Sequence, residues 1–367
     1  MGMNPIALTS RPLKDPSGDP VSNSSPLSFH RPSIGEVLDA FRSAMIARGL
    51  IPPDKIKADG LIHRCDVDAR HGRRDGTYKL YLDKFPAGGF RNWRDGQGWE
   101  NWSSTDFHTL SPSDRAELAR QWAIEQAIRE ERTRQERCEA ALLAAWILQL
   151  SAPASPDHQY ARNKGVGIYG VRTYDRALVV PIRDVHGDLH SVQFIYPSGR
   201  KLYLEKGRVE GCFFTFPAKP DVLRTRVPLI LVTEGWATGY SVWNSVGYMT
   251  VVAFDAGNLE FVAKALRSKY PGAEFLFCAD DDWLTAQEQP DIGNPGVLKA
   301  GIAANAVNGR VTSPCFDRSR YPRLTDFNDL EKLSGSDAVR RTVEEALSNW
   351  LDVTHINHSS NEFVLIP

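Results

Sequence analysis

The sequence predicts a mixed α/β protein whose second half is a parallel sheet with flanking helices. Between residues 228 and 308, short apolar stretches rich in β-branched residues alternate with amphipathic stretches of helix length. This alternation is typical of a parallel sheet covered by helices. Ahead of it, "ALVVPIRDVHGDLHSVQFI" predicts two strands joined by a turn, and residues 52–102 show short strands separated by turn residues. We therefore expect a β-rich module, a small mixed α+β domain and a parallel α/β domain, in that order.

The first part of the chain is expected to contain one helix and the β-rich module. Residues 1–30 are rich in Pro, Ser, Asn and Gly, which predicts a disordered leader. Within 31–110, Ser33 and Glu36 have the spacing of a capping box, so a helix begins there. The stretches "DGLIHRCDV", "GTYKLYLD" and "PAGGFRNWRDGQGWENW" then predict strands and turns.

Two further helical segments are predicted. Residues 111–155 form a long connector whose charge run "REERTRQER" is typical of a solvated helix face with pairs four residues apart. The C-terminal segment 336–367 predicts a helix followed by a tail.

The two domains between these helices differ in charge. In the small α+β domain, 156–227, the stretch from His158 to Arg208 has nine Lys and Arg against four acids, a local charge of +5. The parallel domain, 228–335, has nine Lys and Arg against thirteen Asp and Glu, a local charge of −4. A basic surface beside an acidic, metal-loaded one suits a nucleic-acid strand and triphosphates. The elements expected in the parallel domain are strand 228–233, helix 236–246, strand 249–254, helix 258–270, strand 274–279 and helix 296–308.

Acidic residues recur where these predicted elements end. Glu234 follows the first strand, Asp280–Asp282 follows the third, and Asp326, Asn328 and Asp329 lie in a later loop. Ligands of parallel sheets bind at the carboxyl ends of the strands. A glutamate after a strand also suits the start of a helix, and an aspartate run also occurs in solvated loops. The combination favours a Mg²⁺ site, because a hard cation offsets the repulsion between clustered carboxylates.

The sequence around these acidic residues resembles the motifs of a known domain family. "LVTEGWATGYSVW", "FCADDD" and "TDFNDL" resemble the strand–Glu–Gly, Asp-x-Asp and later acidic motifs of the Toprim domain. Toprim domains occur in DnaG-type primases, type IA and type II topoisomerases and some nucleases. The sequence is most similar to plasmid and phage primases of the TraC type, where "AFDAGNL", "NPG" and "DFNDL" have counterparts. The likeness extends from about 158 to 335.

The resemblance implies a DNA-dependent primase, a nucleotidyltransferase of the DNA-directed RNA polymerase type that serves phage, plasmid or mobile-element replication. The implied catalytic residues are Glu234, Asp280 and Asp282, and Glu234 is either a metal ligand or a general base. The implied ligands of Mg²⁺ or Mn²⁺ are Glu234, Asp280, Asp282, Asp326, Asn328 and Asp329. The implied nucleotide or nucleic-acid contacts are Arg162, Lys164, Arg183, Gln193, Arg200, Lys201 and Asn258. Any one Lys or Arg of this set is more commonly a simple surface charge.

The N-terminal module departs from the family pattern. DnaG-type primases begin with a zinc ribbon, but Cys65 is the only cysteine between 50 and 110, so we predict no zinc. The module instead resembles a metal-free "G-x-F-x-x-W" counterpart. Arg91, Trp93 and Arg94 are possible DNA contacts, because aromatic rings stack bases while cations hold phosphates. Three neighbouring tryptophans also suit a small core, and we slightly favour that packing role.

The remaining expectations concern partners and rival functions. We expect a single-stranded DNA template, nucleoside triphosphates and a replicative helicase acting in trans, since no GxxxxGK[ST] motif occurs. The alternatives are a metal-dependent Toprim nuclease and a non-catalytic nucleic-acid-binding protein. The net charge of −1 argues against a wholly basic binder. Five scattered cysteines without CxxC and no apolar run of membrane-spanning length indicate a cytoplasmic protein without membrane association.

Overall fold

The described part of the chain is a mixed α/β protein with several sheets, as predicted. The predicted leader, 1–30, and the end of the predicted tail, 355–367, lie outside the described residues. The chain divides into two compact units, Met1–Glu125 and Gln126–Pro367. The computed structural model describes residues 32–68, 72–82, 86–95, 97–104, 112–220, 222, 228–290 and 292–354.

The first unit packs one helix against an antiparallel sheet. Helix α1 (Ile34–Ala47) begins at the predicted capping box, where the Ser33 amide donates to Glu36 Oε2 at 2.6 Å and the Glu36 amide donates to Ser33 Oγ at 3.3 Å. Phe41 packs against the rings of Tyr78 and Phe90 and closes the core. The strands are paired in chain order: β1 (Leu50–Ile51), β2 (His63–Val67), β3 (Gly76–Tyr81), β4 (Ala87–Asn92) and β5 (Glu100–Ser103).

Helix α2 (Pro112–Leu150) contains the predicted charge run. Its exposed ion pairs Glu117–Arg120 and Glu131–Arg134 join residues three apart rather than the predicted four. Exposed helical pairs contribute only about 0.3–0.5 kcal/mol each. Near the C-terminus of the helix, Ala144 is buried in the same apolar cluster as Val179. Packing of that end therefore adds to the many weak surface pairs.

The second unit begins with an antiparallel sheet and a short helix, α3 (Gln159–Lys164), which ends at Gly165 in a left-handed conformation (φ 66°). The strands neighbour one another in reverse chain order, β10-β9-β8-β7-β6. They are β6 (Ala152–Pro153), β7 (Arg172–Tyr174), β8 (Ala177–Arg183), β9 (Leu189–Ile195) and β10 (Lys201–Tyr203).

The third sheet has the order β11-β13-β12-β14-β15. The pairs β12–β13, β12–β14 and β14–β15 are parallel, and β11 is an antiparallel edge strand beside β13. The strands are β11 (Phe214–Phe216), β12 (Leu229–Thr233), β13 (Met249–Val252), β14 (Glu274–Cys278) and β15 (Arg310–Thr312). The helices are α4 (Trp236–Val246), α5 (Leu259–Lys269), α6 (Trp283–Glu288), α7 (Pro295–Ala306), α8 (Phe327–Ser334) and α9 (Ser336–Thr354).

Helices cover both faces of this sheet because successive strand residues point to opposite sides. Phe275 and Phe277 are fully buried against α5 and α7. Leu276, between them in the chain, is buried with residues of α4, α8 and α9. Both layers therefore hold the strand ends in place.

Three elements differ from the prediction. Helix α6 and strand β15 were not expected, and "DFNDL", predicted as a loop, forms the first turns of α8. The loop prediction was wrong because Asp326 acts as an N-cap, its side chain accepting a hydrogen bond from the Asp329 amide at 2.7 Å. Among the described helices, none has the length and apolar character needed to cross a bilayer.

Candidate active site

Acidic residues lie at the carboxyl ends of the three central strands of the third sheet. Glu234 follows β12, Asp255 lies just beyond β13, and Asp280 lies just beyond β14. Since β12 pairs in parallel with β13 on one side and β14 on the other, the three strand ends meet at one edge. The edge where open parallel sheets bind ligands is therefore acidic here.

Glu234 has a strongly perturbed carboxyl group. Burial, together with the negative charges of Asp255, Asp282 and Asp326, raises its pKa to about 7, although the positive charge of Lys201 opposes the shift. A carboxylic acid with such a pKa is half-protonated near neutral pH. It can therefore accept or release a proton under physiological conditions.

Asp280 belongs to the same electrostatic set. Burial raises its pKa well above the usual range, followed by the charges of Asp326, Glu234 and Asp282, with Lys201 again opposing. Its Oδ1 is buried and has no hydrogen-bond partner in the described structure. An unpartnered buried carboxylate oxygen beside other acids has the chemistry of a cation ligand.

These carboxylates are coupled but not tightly gathered. Within the described ranges, no three His, Cys, Asp or Glu side chains are close enough to enclose a metal ion as they stand. The structure thus brings Glu234, Asp280, Asp282 and Asp326 within electrostatic reach of one another without forming a finished coordination sphere.

The middle aspartate of the Asp-x-Asp motif faces a different set of partners, as its alternation with Asp280 and Asp282 predicts. The Asp281 carboxylate accepts a hydrogen bond from Asn294 Nδ2 at 2.6 Å and forms an ion pair with Arg318. Its role is therefore to hold the loop in place.

The N-terminus of α7 packs directly on the Asp-x-Asp loop. The Gly296 amide donates to Asp282 Oδ2 at 3.0 Å. A Cβ atom on Gly296 would lie 2.3 Å from the Asp280 carbonyl oxygen, so only glycine fits here. The motif "NPG" thus combines the helix start at Asn294 with the close approach that the loop requires.

Asp326 lies between its own helix and a lysine of the antiparallel domain. Its Oδ1 accepts the hydrogen bond from the Asp329 amide, and its Oδ2 lies 3.8 Å from Lys164 Nζ. Asp329 itself accepts a hydrogen bond from the Thr325 amide at 3.0 Å. The Asp329 carboxylate therefore helps to hold the start of α8, and its predicted role as a metal ligand stays a prediction.

Two predicted asparagines form internal links. Asn328 is fully buried, and its Nδ2 donates to the Lys164 carbonyl at 2.8 Å and to Ser241 Oγ at 3.0 Å. Asn258 is also buried; its Nδ2 donates to three backbone carbonyls at 2.8–3.1 Å, and its Oδ1 accepts a backbone amide at 2.8 Å. Both polar atoms of the Asn258 side chain are thus used in internal links, and its predicted nucleotide contact stays a prediction.

The other predicted nucleotide or nucleic-acid contacts occupy three kinds of position. Lys164 and Lys201 lie at the acidic edge; a Cβ atom on Gly235, next to Glu234, would be 3.7 Å from Lys201 Nζ. Gln193 is buried beside β10. The other three, which are exposed and make no ion pair with the described acids of this edge, are Arg162, Arg183 and Arg200.

Asp255 was missed at the sequence level. Its signal was present in "AFDAGNL", since it follows a strand as Glu234 and Asp280 do. Phe254, just before it, has a left-handed backbone (φ 70°), which costs of order 1–3 kcal/mol and is common at functional sites. The Phe254 amide donates to the Glu234 carbonyl at 2.8 Å, and Tyr203 Oη donates to the Phe254 carbonyl at 3.0 Å. These bonds hold the turn that brings Asp255 to the site.

The predicted DNA contacts of the first unit are on its surface. Trp93 is 41% exposed and the Arg91 guanidinium lies over its ring at 3.8 Å, whereas Trp102 packs against Phe41 in the core. The Arg94 amide donates to a neighbouring side chain at 3.0 Å. The tryptophans thus divide between the core and the surface, and the DNA contact of Trp93 stays a prediction. Cys65 is buried in the core, and burial raises its thiol pKa to about 12.

Comparison with known proteins finds clear relatives among DNA primases. No family model matches the chain. It is 33% identical over 278 residues to a DNA primase TraC of Escherichia coli, an alignment that covers 72% of this chain and 25% of the relative. A second DNA primase TraC of Escherichia coli is 32% identical over 296 residues, an alignment that covers 78% of this chain and 20% of the relative. The chain therefore spans a quarter or less of the length of these curated relatives.

Solved structures show only weak likeness. The DnaG primase catalytic domain bound to ssDNA has a TM-score of 0.38 and 13% identity, covering 59% of this chain and 83% of that one. The primase fragment of the bacteriophage T7 primase-helicase protein has a TM-score of 0.36 and 14% identity, and the match covers 50% of this chain and 72% of that one. Values this low do not establish a shared fold.

Proposed function

We propose that this chain, which is related over most of its length to TraC-type DNA primases, is itself the catalytic part of a DNA primase. It would synthesise primers on single-stranded DNA from nucleoside triphosphates. The observation that carries the proposal is the set of coupled carboxylates, Glu234, Asp280, Asp282 and Asp326, beside Lys201 at the carboxyl edge of a parallel sheet.

The sheet around this site is compatible with a Toprim domain. Its parallel strands β13, β12, β14 and β15 lie side by side, and the acidic motifs of the resemblance follow β12 and β14. We propose that residues 228–335 form this domain, and that 156–227 form the basic part of the polymerase core.

The residues present fit a divalent cation. Asp280 offers an unpartnered buried oxygen, and the raised pKa values of Asp280 and Glu234 indicate repulsion that positive charge would relieve. Glu234, Asp280 and Asp282 would hold Mg²⁺ or Mn²⁺, with Asp326 beside them. When bound, the metal neutralises phosphate charge and holds a triphosphate in position.

The protein's own side chains supply the rest of the chemistry. Nucleotidyl transfer removes a proton from the primer 3′-hydroxyl, and Glu234, with a pKa of about 7, is suited to accept it. Lys201 and Lys164 lie where they can face phosphate oxygens. Whether Glu234 acts as base or ligand is decided by the substitution below.

The proposed partners follow from this chemistry. Arg162, Arg183 and Arg200 are exposed cations of the antiparallel domain that could contact a template strand. A helicase would act in trans, and the setting would be the cytoplasm of a cell that carries a phage, plasmid or other mobile element.

A primer-synthesis assay tests the proposal. Labelled nucleotides are incubated with the chain and single-stranded DNA, with Mg²⁺ or Mn²⁺. Glu234→Gln and Asp280→Ala should each lower synthesis by at least about a hundredfold, the scale of a lost group that acts in the transition state. Glu260→Gln, an exposed helical carboxylate paired with Lys264, is the matched control and should remain active.

Other outcomes distinguish the rival functions. Metal-dependent cleavage of DNA without incorporation would support a nuclease. DNA binding without either reaction would support a non-catalytic binding protein. Loss of metal affinity in Glu234→Gln would make Glu234 a ligand, whereas retained metal affinity with a changed pH profile would make it a base.

A further inference from the structure

One face of the sheet in the first unit carries two exposed indole rings. Trp93 and Trp99 are 41% and 40% exposed, although tryptophan is normally among the more buried residues. Both lie in the stretch whose third tryptophan, Trp102, is packed against Phe41 on the opposite face. The core therefore does not account for them.

Trp99 lies across the sheet surface because glycine leaves room for it. A Cβ atom on Gly89 of β4 would be 2.4 Å from Trp99 Nε1. The same Nε1 donates to Asn101 Oδ1 at 3.1 Å, which fixes the ring over the strand. The ring is therefore held in position in advance, and little conformational entropy would be lost on stacking another ring against it.

Cations lie over the Trp93 ring and near it on the same face. Arg64 and Arg91 are both register partners of Thr77, so they lie in one row across the sheet. Their guanidinium carbons are 5.6 and 3.8 Å from the centre of the Trp93 ring. Lys79, two residues beyond Thr77 and so on the same side, places its Nζ 4.9 Å from the centre of a tyrosine ring.

The cations of this face are not held in close ion pairs with the described acids. In the part of the chain that the structure describes, Arg64, Lys79 and Arg91 form no ion pair, and the Arg91 Nε is buried without a hydrogen-bond partner. Two nearby acids, Asp95 and Glu100, both pair with Arg48, whereas Asp75 has a buried Oδ2 without a hydrogen-bond partner. The face thus combines unpaired cations with flat aromatic rings.

We propose that this face, formed by Arg64, Lys79, Arg91, Trp93 and Trp99 and termed the stacking face, binds single-stranded nucleic acid. Unpaired bases stack on the indole rings and on guanidinium planes, and the cations contact phosphates. A duplex hides its base faces, so it cannot use the rings. The stacking face belongs to the first unit and does not depend on nucleotidyl transfer at the acidic edge.

Binding of the whole chain to a fluorescein-labelled oligothymidylate, followed by anisotropy without divalent metal or nucleotides, tests the proposal. Trp93→Ala and Trp99→Ala should each weaken binding by about 5- to 150-fold, the equivalent of one base stack. Trp146→Ala is the matched control, because Trp146 is 51% exposed on α2 and outside the stacking face. Unchanged affinity in both stacking-face variants overturns the proposal.

Two further measurements exclude a mere folding defect and test the mode of binding. Trp93→Phe keeps an aromatic ring and should therefore keep most of the affinity. All variants should have the same melting temperature as the parent chain. Arg64→Glu and Arg91→Glu should each reduce the slope of log affinity against log salt by about 0.7 or more. An unlabelled duplex that competes as well as a single strand would contradict stacking. A chain that binds the oligonucleotide but makes no primers retains this inference and loses the proposed function.

Discussion

Replacing Glu234 with glutamine should stabilise the metal-free protein at pH 8. The folded chain raises the pKa of Glu234 from 4.5 to about 7, chiefly through burial. Below pH 4.5 the carboxyl is protonated in both the folded and the unfolded chain, so it does not lower the free energy of unfolding. Between pH 4.5 and 7 the unfolded chain releases the proton before the folded chain does, and stability falls as the pH rises.

The size of the effect follows from the shift in pKa. Each pKa unit corresponds to about 1.4 kcal/mol, so the shift sets an upper limit of about 3 kcal/mol above pH 7. Solvent near this partly buried group and relaxation of its neighbours reduce that value, and we expect a gain of about 1–3 kcal/mol for Glu234→Gln. The gain should disappear near pH 4.

Urea unfolding of both proteins at pH 4.5 and pH 8, in the presence of a chelator, measures this difference. Mg²⁺ added at pH 8 should stabilise the parent chain and have less effect on Glu234→Gln, because only the native state binds the ion. Glu260→Gln should show neither effect. If Glu234→Gln is less stable than the parent at pH 8, or if the difference is independent of pH, the electrostatic account of this site is wrong.

Two other substitutions test the packing around the site. Gly296→Ala should lower the free energy of unfolding by about 1–3 kcal/mol and reduce primer synthesis, because the added Cβ would displace the Asp280 backbone. Gly301→Ala is the control, because Gly301 lies on the same helix and a Cβ there would meet no atom within 4 Å. This second substitution should be neutral or stabilise the chain by up to about 1 kcal/mol. Asn258→Ala should destabilise the chain by about 2–4 kcal/mol in urea unfolding, since four buried backbone groups lose their partner; wild-type stability would refute the linking role.

Local sequence patterns were sufficient where the cause of the structure is local. The capping box at Ser33 and Glu36 forms as predicted because its two hydrogen bonds lie within one helical turn. The parallel strands were predictable because fully buried strands are nearly continuous apolar runs. Given those strands, Glu234 and Asp280 had to lie at the same sheet edge, since parallel strands align their carboxyl ends.

Where a side chain has several possible partners, only the tertiary structure decided its role. "TDFNDL" offers four polar side chains, yet Asp329 accepts a hydrogen bond from the Thr325 amide, and Asn328 is buried between Lys164 and Ser241, which are far away in sequence. Asp255 joins the site through a left-handed turn at the preceding residue, a conformation that its sequence does not announce.

The tryptophans of "GGFRNWRDGQGWENW" show the same division. Their spacing in the sequence does not show which indoles are exposed, because the Trp99 ring occupies space that exists only where the chain has glycine at 89. Sequence alone therefore determined the sheet, its acidic edge and the aromatic–basic composition of the first unit. The tertiary structure decided which carboxylates are coupled and which rings stay exposed, because burial and charge–charge coupling depend on residues that meet only when the chain folds.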